Sequence, residues 1–170
     1  ELPLIHPGVR VILAHTTGDS QAHTRRGQGA RDDSESRRVP AGVSQLAIHD
    51  PDDQRRASLV DRLSGLGKCP VVHGSADPTG FDLVLNATPV GMKEGDPLPF
   101  DVDRIDAGAM VGEVVMKTEY TPLLQAALAK GCGVQVGTDM LFEMIPAYLE
   151  FFGYGTATAD ELRAVARIKY

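Results

Sequence analysis

The pattern of apolar and polar residues changes abruptly near Pro40. From His15 onward no apolar residue larger than alanine occurs until Val39, so this polar stretch offers no face that could be buried. After it, short apolar runs alternate with segments in which apolar residues recur at helical spacing. We therefore predict a degenerate or disordered segment over residues 1–42 and one ordered domain over residues 43–170.

The apolar runs predict the strands of a sheet, and the periodic segments predict the helices beside it. Thr121 followed by Pro122 indicates a helix start, and Thr158 with Glu161 forms a capping box. Strands alternating with helices are typical of an α/β fold. We therefore predict a Rossmann-like parallel sheet with flanking helices, in which the first strand-loop-helix unit is degenerate. The predicted strands are 43–50, 70–73, 81–86, 109–115 and 133–136, and the predicted helices are 52–65, 121–131, 140–152 and one that follows Thr158.

Length, charge and cysteine content restrict the class of protein. A chain of 170 residues is long enough for one domain with its own core. Its net charge of −6 provides no basic field for phosphate backbones, so nucleic acid is not an expected partner. No apolar run reaches the roughly 18 to 20 residues of a membrane span, and the acidic, proline-containing start does not resemble a signal peptide. Cys69 and Cys132 are far apart, which favours free thiols in a reducing compartment, so we expect a cytoplasmic protein.

A motif of small and polar residues follows the predicted strand 81–86. Asn86, Ala87 and Thr88 stand where that strand ends, and open α/β sheets bind their ligands outside the carboxyl ends of their strands. The small side chains would let a cofactor approach the backbone. The alternative is that Asn86 only closes a turn and that Gly91 permits it.

Three segments, in order, resemble the shikimate dehydrogenase family. They are 86–92, Asn-Ala-Thr-Pro-Val-Gly-Met, with Pro-Leu-Pro at 97–99; 114–124, ending in Thr-Pro-Leu-Leu; and 137–141, Gly-Thr-Asp-Met-Leu. The resemblance extends over about residues 43–155 and is to the C-terminal, NAD(P)-binding domain of the family. It implies part of an oxidoreductase of aromatic amino acid biosynthesis, which oxidises shikimate to 3-dehydroshikimate with NAD or NADP.

The resemblance also implies where the reacting groups lie. The backbone around Val114 and Gly137 would flank the nicotinamide, although Val114 also suits an ordinary strand residue. The family has tyrosine and glutamine where Met116 and Met144 stand, and methionine cannot donate hydrogen bonds to a substrate hydroxyl or carboxylate. A different or less polar substrate is one interpretation, and two methionines that fill the core are the other.

Asp50 ends the strand 43–50, where doubly wound domains commonly place an acid that binds the ribose of NAD. Members of the family that prefer NADP carry Asn-Arg-Thr there, whereas here two further acids would help to repel a 2′-phosphate. Arg55 and Arg56 could offset that repulsion, so the acid favours NAD without excluding NADP. The candidate cofactor-binding residues are Asp50, Asn86, Ala87, Thr88, Val114 and Gly137, and the candidate substrate-side residues are Met116 and Met144.

No segment of the sequence clearly matches the glycine-rich loop that would hold the cofactor pyrophosphate. Residues 27–32 begin like such a loop, but polar residues precede and follow them where a strand and a helix are required. Residues 26–42 have about the length that the loop and first helix occupy in the family. One hypothesis is a frame change in the coding DNA over this stretch, and the other is a true but disordered segment.

No catalytic residue and no metal site are assigned. The resemblance places the catalytic lysine and aspartate in an N-terminal substrate domain, and nothing before Val9 corresponds to them. We therefore expect the chain by itself to be inactive. A shikimate-like small molecule is expected as a partner only in the complete enzyme, and the sequence leaves open whether the protein forms a homodimer. The alternatives are a truncated or frame-damaged non-catalytic domain and a related enzyme with a different substrate.

Overall fold

A six-stranded sheet forms the centre of the protein in the computed structural model, which describes residues 9–15 and 43–168. Its strands are β1 (Val9–His15), β2 (Val43–His49), β3 (Val71–His73), β4 (Leu83–Ala87), β5 (Met110–Glu113) and β6 (Gly133–Gln135). They lie in the order β3-β2-β1-β4-β5-β6, and every neighbouring pair is parallel. The predicted α/β fold with a Rossmann-like parallel sheet is confirmed.

The described residues also form four α-helices beside or after the strands. Thr121 caps the second of them by accepting the N–H of Leu124, and the capping box of Thr158 and Glu161 starts the last. The third begins at Gly137, earlier than the predicted start at residue 140. The helices are α1 (Asp53–Ser64), α2 (Pro122–Ala129), α3 (Gly137–Phe151) and α4 (Ala159–Val165), and a short 3₁₀ helix (Val102–Arg104) precedes β5.

Strand β1 occupies the middle of the sheet, although it lies within the segment 1–42 that the polar pattern assigned to a degenerate region. It pairs with β2 on one side and with β4 on the other, and Ile12 is fully buried. The ordered sheet therefore begins before the predicted domain boundary. The reason is that Val9–His15 is itself a short apolar run, which suits a strand buried on both faces. The predictions for residues 16–42, including disorder and the missing loop and helix, lie outside the described residues.

Apolar side chains of the central strands and of α2 form the core beneath the carboxyl ends of the strands. Cys132 is buried in this core, Cys69 is half-buried, and both thiols are free. α2 packs against β5 and β6, whereas α1 packs against β2 and β3, so the two helices support different parts of the sheet. The largest fully buried apolar side chains are Ile12, Ile48, Val84, Val111, Leu123 and Leu124.

Arg163 links α4 to α3. No residue of α4 is buried, but the Arg163 guanidinium donates hydrogen bonds to Glu143 of α3 at 2.8 Å and to Asp160 at 3.0 Å. Its Nε lies 3.5 Å from Oδ1 of Asp139, and the guanidinium carbon lies 5.6 Å from the ring centroid of Phe142. The hydrogen bond to Glu143 is the main cause that raises the pKa of Arg163. The contacts of this arginine are therefore mainly ionic, and they reach the first turn of α3.

Replacing Arg163 with methionine is expected to release α4 and leave the sheet intact. Methionine keeps a long side chain but no charge, and a helix this short does not form stably alone. The α4 amides should lose hydrogen-exchange protection about fivefold or more, while the free energy of unfolding falls by less than about 1 kcal/mol, the usual limit for exposed ion pairs. Arg163→Lys keeps the charge without the guanidinium fork and should give an intermediate result. Full protection of α4 in Arg163→Met would show that other contacts hold the helix.

Candidate functional site

The sheet has a topological switch point between β1 and β4. The chain leaves β1 towards β2 on one side and returns to β4 on the other. Ala14 pairs with Asn86 and His15 pairs with Ala87, so both strands end at the same edge. Ligands of open parallel sheets bind in the crevice outside the carboxyl ends of the strands at such a point. The ends of β2, β4 and β5 and the start of α3 all lie along this edge.

Asn86 and Thr88 form a closed hydrogen-bond network at the end of β4, and both are buried. Oδ1 of Asn86 accepts from the backbone N–H of Thr88 at 3.0 Å and from its hydroxyl at 2.7 Å. Nδ2 of Asn86 donates to the carbonyl of Val90 at 3.0 Å and to Glu113 at 2.9 Å. Asn86 therefore closes a turn, which Gly91 permits with φ of +96°, and it also ties β4 to β5. With these polar atoms occupied, a ligand would meet the backbone of this turn.

Glu113 is a buried carboxylate at the end of β5, and it is not among the residues selected from the sequence. Its Oε1 accepts from Asn86 and from the backbone N–H groups of Val114 at 3.0 Å and Val115 at 3.2 Å. Its Oε2 accepts the hydroxyl of Thr121 at 3.1 Å. Burial raises the pKa of Glu113, and the hydrogen bonds oppose this shift only in part. A lone glutamate within the apolar run 109–115 is the signal that could have identified it.

Gly137 brings the first turn of α3 against the loop that follows β5. A Cβ atom on Gly137 would overlap the carbonyl oxygen of Val115 and lie 2.8 Å from its carbonyl carbon. The same atom would lie 3.0 Å from the carbonyl carbon of Val114. Only glycine fits there without a shift of backbone. Val114 and Gly137, which were predicted to lie at one site, are thus in contact through the backbone.

The carboxylate of Asp50 points into the protein at the end of β2. Its side chain has no exposed surface, and Oδ1 accepts the backbone N–H of Asp52 at 2.8 Å. Oδ2 lies 3.4 Å from Nε of Arg55, whose side chain is 40% exposed. A ligand approaching the end of β2 would therefore meet Arg55 before it met Asp50. The sequence placed Asp50 at the end of the strand but did not show that Arg55 lies against it.

A second arginine organises the ends of β2 and β3. Arg56 donates to the backbone carbonyl of Asp50 at 2.9 Å and to the Asp53 carboxylate at 2.6 Å. Its Nε donates to Nδ1 of His73 at 3.4 Å. Burial lowers the pKa of His49, the charge of Arg56 acts in the same direction, and Asp50 opposes them. His49 is therefore expected to stay neutral at pH 7, whereas Arg55 and Arg56 both bring positive charge to this end of the site.

The two methionines differ in their surroundings. Met116 is 46% exposed and directly follows Val115, whose carbonyl packs against Gly137. Met144 lies half-buried two turns into α3. The interpretation of Met116 as a core-filling residue is therefore wrong, because its loop runs along the edge of the sheet instead of beneath it.

The candidate residues fall into two groups along the edge. One group is held together by hydrogen bonds and close backbone contacts around Glu113, and it consists of Asn86, Thr88, Val114 and Gly137. Asp50 lies apart from it, because it follows β2 on the other side of β1. Across residues 9–15 and 43–168, no group of three or more His, Cys, Asp or Glu side chains could hold a metal ion. None of the helices described is long and apolar enough to span a membrane.

No protein-family model matches the chain, but several known proteins are similar to it in sequence. A shikimate dehydrogenase (NADP(+)) of Rubrobacter xylanophilus is 37% identical over 106 residues, which are 59% of this chain and 37% of that protein. A quinate/shikimate dehydrogenase (NAD(+)) of Corynebacterium glutamicum is 35% identical over 124 residues, or 68% of this chain and 43% of that protein. The chain thus spans less than half the length of these two relatives.

Solved structures of dehydrogenases are also similar to this chain. Quinate dehydrogenase from Corynebacterium glutamicum in complex with NAD superimposes with a TM-score of 0.69 at 28% identity, over 94% of this chain and 55% of that one. Shikimate 5-dehydrogenase from Listeria monocytogenes in complex with shikimate and NAD has a TM-score of 0.68 at 20% identity, over 94% of this chain and 56% of that one, and supports the fold alone. Sequence and fold together identify this chain as a relative of the shikimate and quinate dehydrogenases, with the Rossmann-like sheet of their cofactor-binding domain.

Proposed function

We propose that this chain is the dinucleotide-binding part of an NAD(P)-dependent dehydrogenase that acts on shikimate, quinate or a related ring alcohol. The observation that carries the proposal is the contact between Gly137 and the backbone of Val114 and Val115 at the carboxyl edge of the sheet. This contact joins two of the segments that resemble the family. It lies where open parallel sheets bind their ligands.

The residues at this edge fit a planar nicotinamide ring. Ala87 and Val114 are half-buried, so small apolar surfaces stay open at the ends of β4 and β5. Between them the Asn86–Glu113 hydrogen bond keeps the two strand ends at a fixed separation. When bound, the nicotinamide supplies the hydride chemistry, and these residues orient it and exclude water.

At the other end of the site, Asp50 and Arg55 would receive the adenosine ribose. Arg55 is partly exposed and lies against a buried carboxylate, so most of its charge is already balanced. A guanidinium balanced in this way binds a 2′-phosphate weakly, whereas a ribose hydroxyl needs only a hydrogen-bond partner. We therefore propose a preference for NAD over NADP.

Met116 and Met144 are proposed to lie on the substrate side. The exposure of Met116 beside the loop after β5 supports this position. A thioether cannot donate a hydrogen bond, so the two methionines favour a substrate that presents apolar surface here, in contrast to a hydroxyl or a carboxylate. This is the reason for including relatives of shikimate and quinate in the proposed substrate class.

The test is direct binding of reduced dinucleotide to the purified chain. NADH fluorescence should change saturably, with a dissociation constant below about 1 mM, and ADP-ribose should compete. Uridine diphosphate glucose serves as a control, since it carries a pyrophosphate but no nicotinamide or adenine. If a chain that unfolds cooperatively binds neither NADH nor NADPH, the proposed function is wrong, and the domain is a non-binding relative.

A further inference from the structure

Three parts of the fold converge on the carboxylate of Glu113. These parts are the end of β4, the loop after β5 and the N-cap of α2, which contribute Asn86, Val114 with Val115, and Thr121. Glu113 is only 4% exposed. Its two oxygens therefore accept four hydrogen bonds from the protein in a buried position.

We propose that Glu113 is a positioning residue whose carboxylate holds Asn86 and the backbone of Val114 and Val115 in the arrangement that receives the nicotinamide. The cofactor part of this inference rests on the proposed function. Glu113 touches no ligand in this role, because its oxygens face the protein. It acts through the loop after β5, which also packs against Gly137.

An ionised carboxylate suits this position better than an amide. It is acceptor-only, and all four groups that face Glu113 are donors. In Glu113→Gln the amide oxygen could take the place of Oε1, but the amide NH₂ group would then replace Oε2. The hydroxyl of Thr121 now donates to Oε2, so it would have to rotate and accept a hydrogen bond from the NH₂ group. The remaining hydrogen bonds would also lose the strength that a charged acceptor adds. The loop should therefore become less well held even though the side chain keeps its size.

Protonation of Glu113 and its hydrogen bonds act on stability in opposite directions. Burial raises the pKa of Glu113 in the folded protein above its value in the unfolded chain. The protonated form thus favours the fold, and the stability it contributes is present below about pH 4.5 and is lost as the pH rises through the higher folded pKa. Above that pKa the ionised carboxylate no longer makes this contribution, but it is the form that accepts the four hydrogen bonds. The role of Glu113 is therefore tested by local exchange and by ligand selectivity, because a merely structural role would lower the unfolding free energy and the affinity for every ligand together.

The experiment compares the chain with Glu113→Gln and with Glu150→Gln, which makes the same chemical change at an exposed position of α3. At pH 8 we expect the Val115 amide of Glu113→Gln to exchange about fivefold faster or more, with the faster exchange confined to the groups that Glu113 holds. NADH should bind at least about fivefold more weakly, while ADP-ribose, which lacks the nicotinamide, binds unchanged. Glu150→Gln should match the parent in all three measurements.

Two results would overturn the inference. Unchanged exchange at Val115 would show that Glu113 does not hold the loop. A parallel fall in unfolding free energy and in affinity for both ligands would show a structural role only. If the parent itself bound neither NADH nor ADP-ribose, the proposed function and the cofactor part of this inference would both fail, while the exchange of Val115 would still decide whether Glu113 orders the loop.

Discussion

Gly137→Ala is expected to lower the free energy of unfolding by about 3 kcal/mol, at the upper end of the range for overpacked sites. The added methyl group would overlap the backbone carbonyl of Val115 and lie 2.8 Å from its carbon, and backbone cannot turn away as a side chain can. The higher helix propensity of alanine stabilises the folded protein by at most about 1 kcal/mol, which is less than the destabilisation expected from the overlap. The same shift should weaken NADH binding, because the loop after β5 and the start of α3 must move apart.

Denaturant unfolding of the variant, with NADH titration of the fraction that remains folded, measures both effects. Gly155→Ala is the matched control: a Cβ atom at Gly155 meets nothing within 4 Å, so this variant should unfold within about 0.5 kcal/mol of the parent. A Gly137→Ala protein as stable as its parent would show that the loop and the helix can separate at little cost. The close approach would then not be a constraint on the site.

Asp50→Asn is expected to shift the ratio of NADH to NADPH affinities towards NADPH by about tenfold or more. The substitution removes the buried charge beside Nε of Arg55. The guanidinium, which also lies 3.9 Å from Oδ2 of Asp52, then keeps more of its positive charge for a 2′-phosphate. A single pair of unit charges 4 Å apart in water is worth about 1 kcal/mol, and a phosphate that carries nearly two charges gains about twice that. Since about 1.4 kcal/mol corresponds to a tenfold change in affinity, the shift should be readily measured.

The measurement is the dissociation constant of each reduced dinucleotide for parent and variant, and the ratio cancels any general loss of folded protein. Asp53→Asn is the control, because Asp53 pairs with Arg56 at 2.6 Å but its side chain is 85% exposed, so solvent screens the change. Its ratio should move by less than about threefold. A parent that already binds NADPH tenfold more tightly than NADH would mean that Arg55 or Arg56 governs the site and that the proposed role of Asp50 is wrong.

Local chemistry made much of the fold predictable from the sequence. The cap at Thr121 and the capping box at Thr158 depend only on residues within one turn of a helix, and both are present. The buried strands depend on short apolar runs, which the residues themselves display. Placing Asn86 at the carboxyl edge required only the end of a strand and the rule for parallel sheets.

The pairing of β1 with strands that are distant in the chain could not be predicted from the sequence pattern. β1 stands alone beside a long polar stretch, and its neighbours β2 and β4 are distant in the chain, so nothing local showed that it forms the centre of the sheet. Parallel strands always pair across such crossovers. The polar stretch therefore led to a domain boundary placed too late.

The features of the candidate site likewise include some that the sequence predicts and others that only the tertiary structure shows. From the sequence alone came the fold class, the helix caps and the positions of Asn86 and Asp50 at strand ends, because each follows from periodicity or from a short motif. Only the tertiary structure decided that Glu113 joins β4, β5 and α2, that Arg55 screens Asp50, and that Gly137 must be glycine. The physical reason is that all three features depend on contacts between surfaces that meet only in the folded protein. Such contacts leave no periodic pattern in the sequence, whereas helices and strands do.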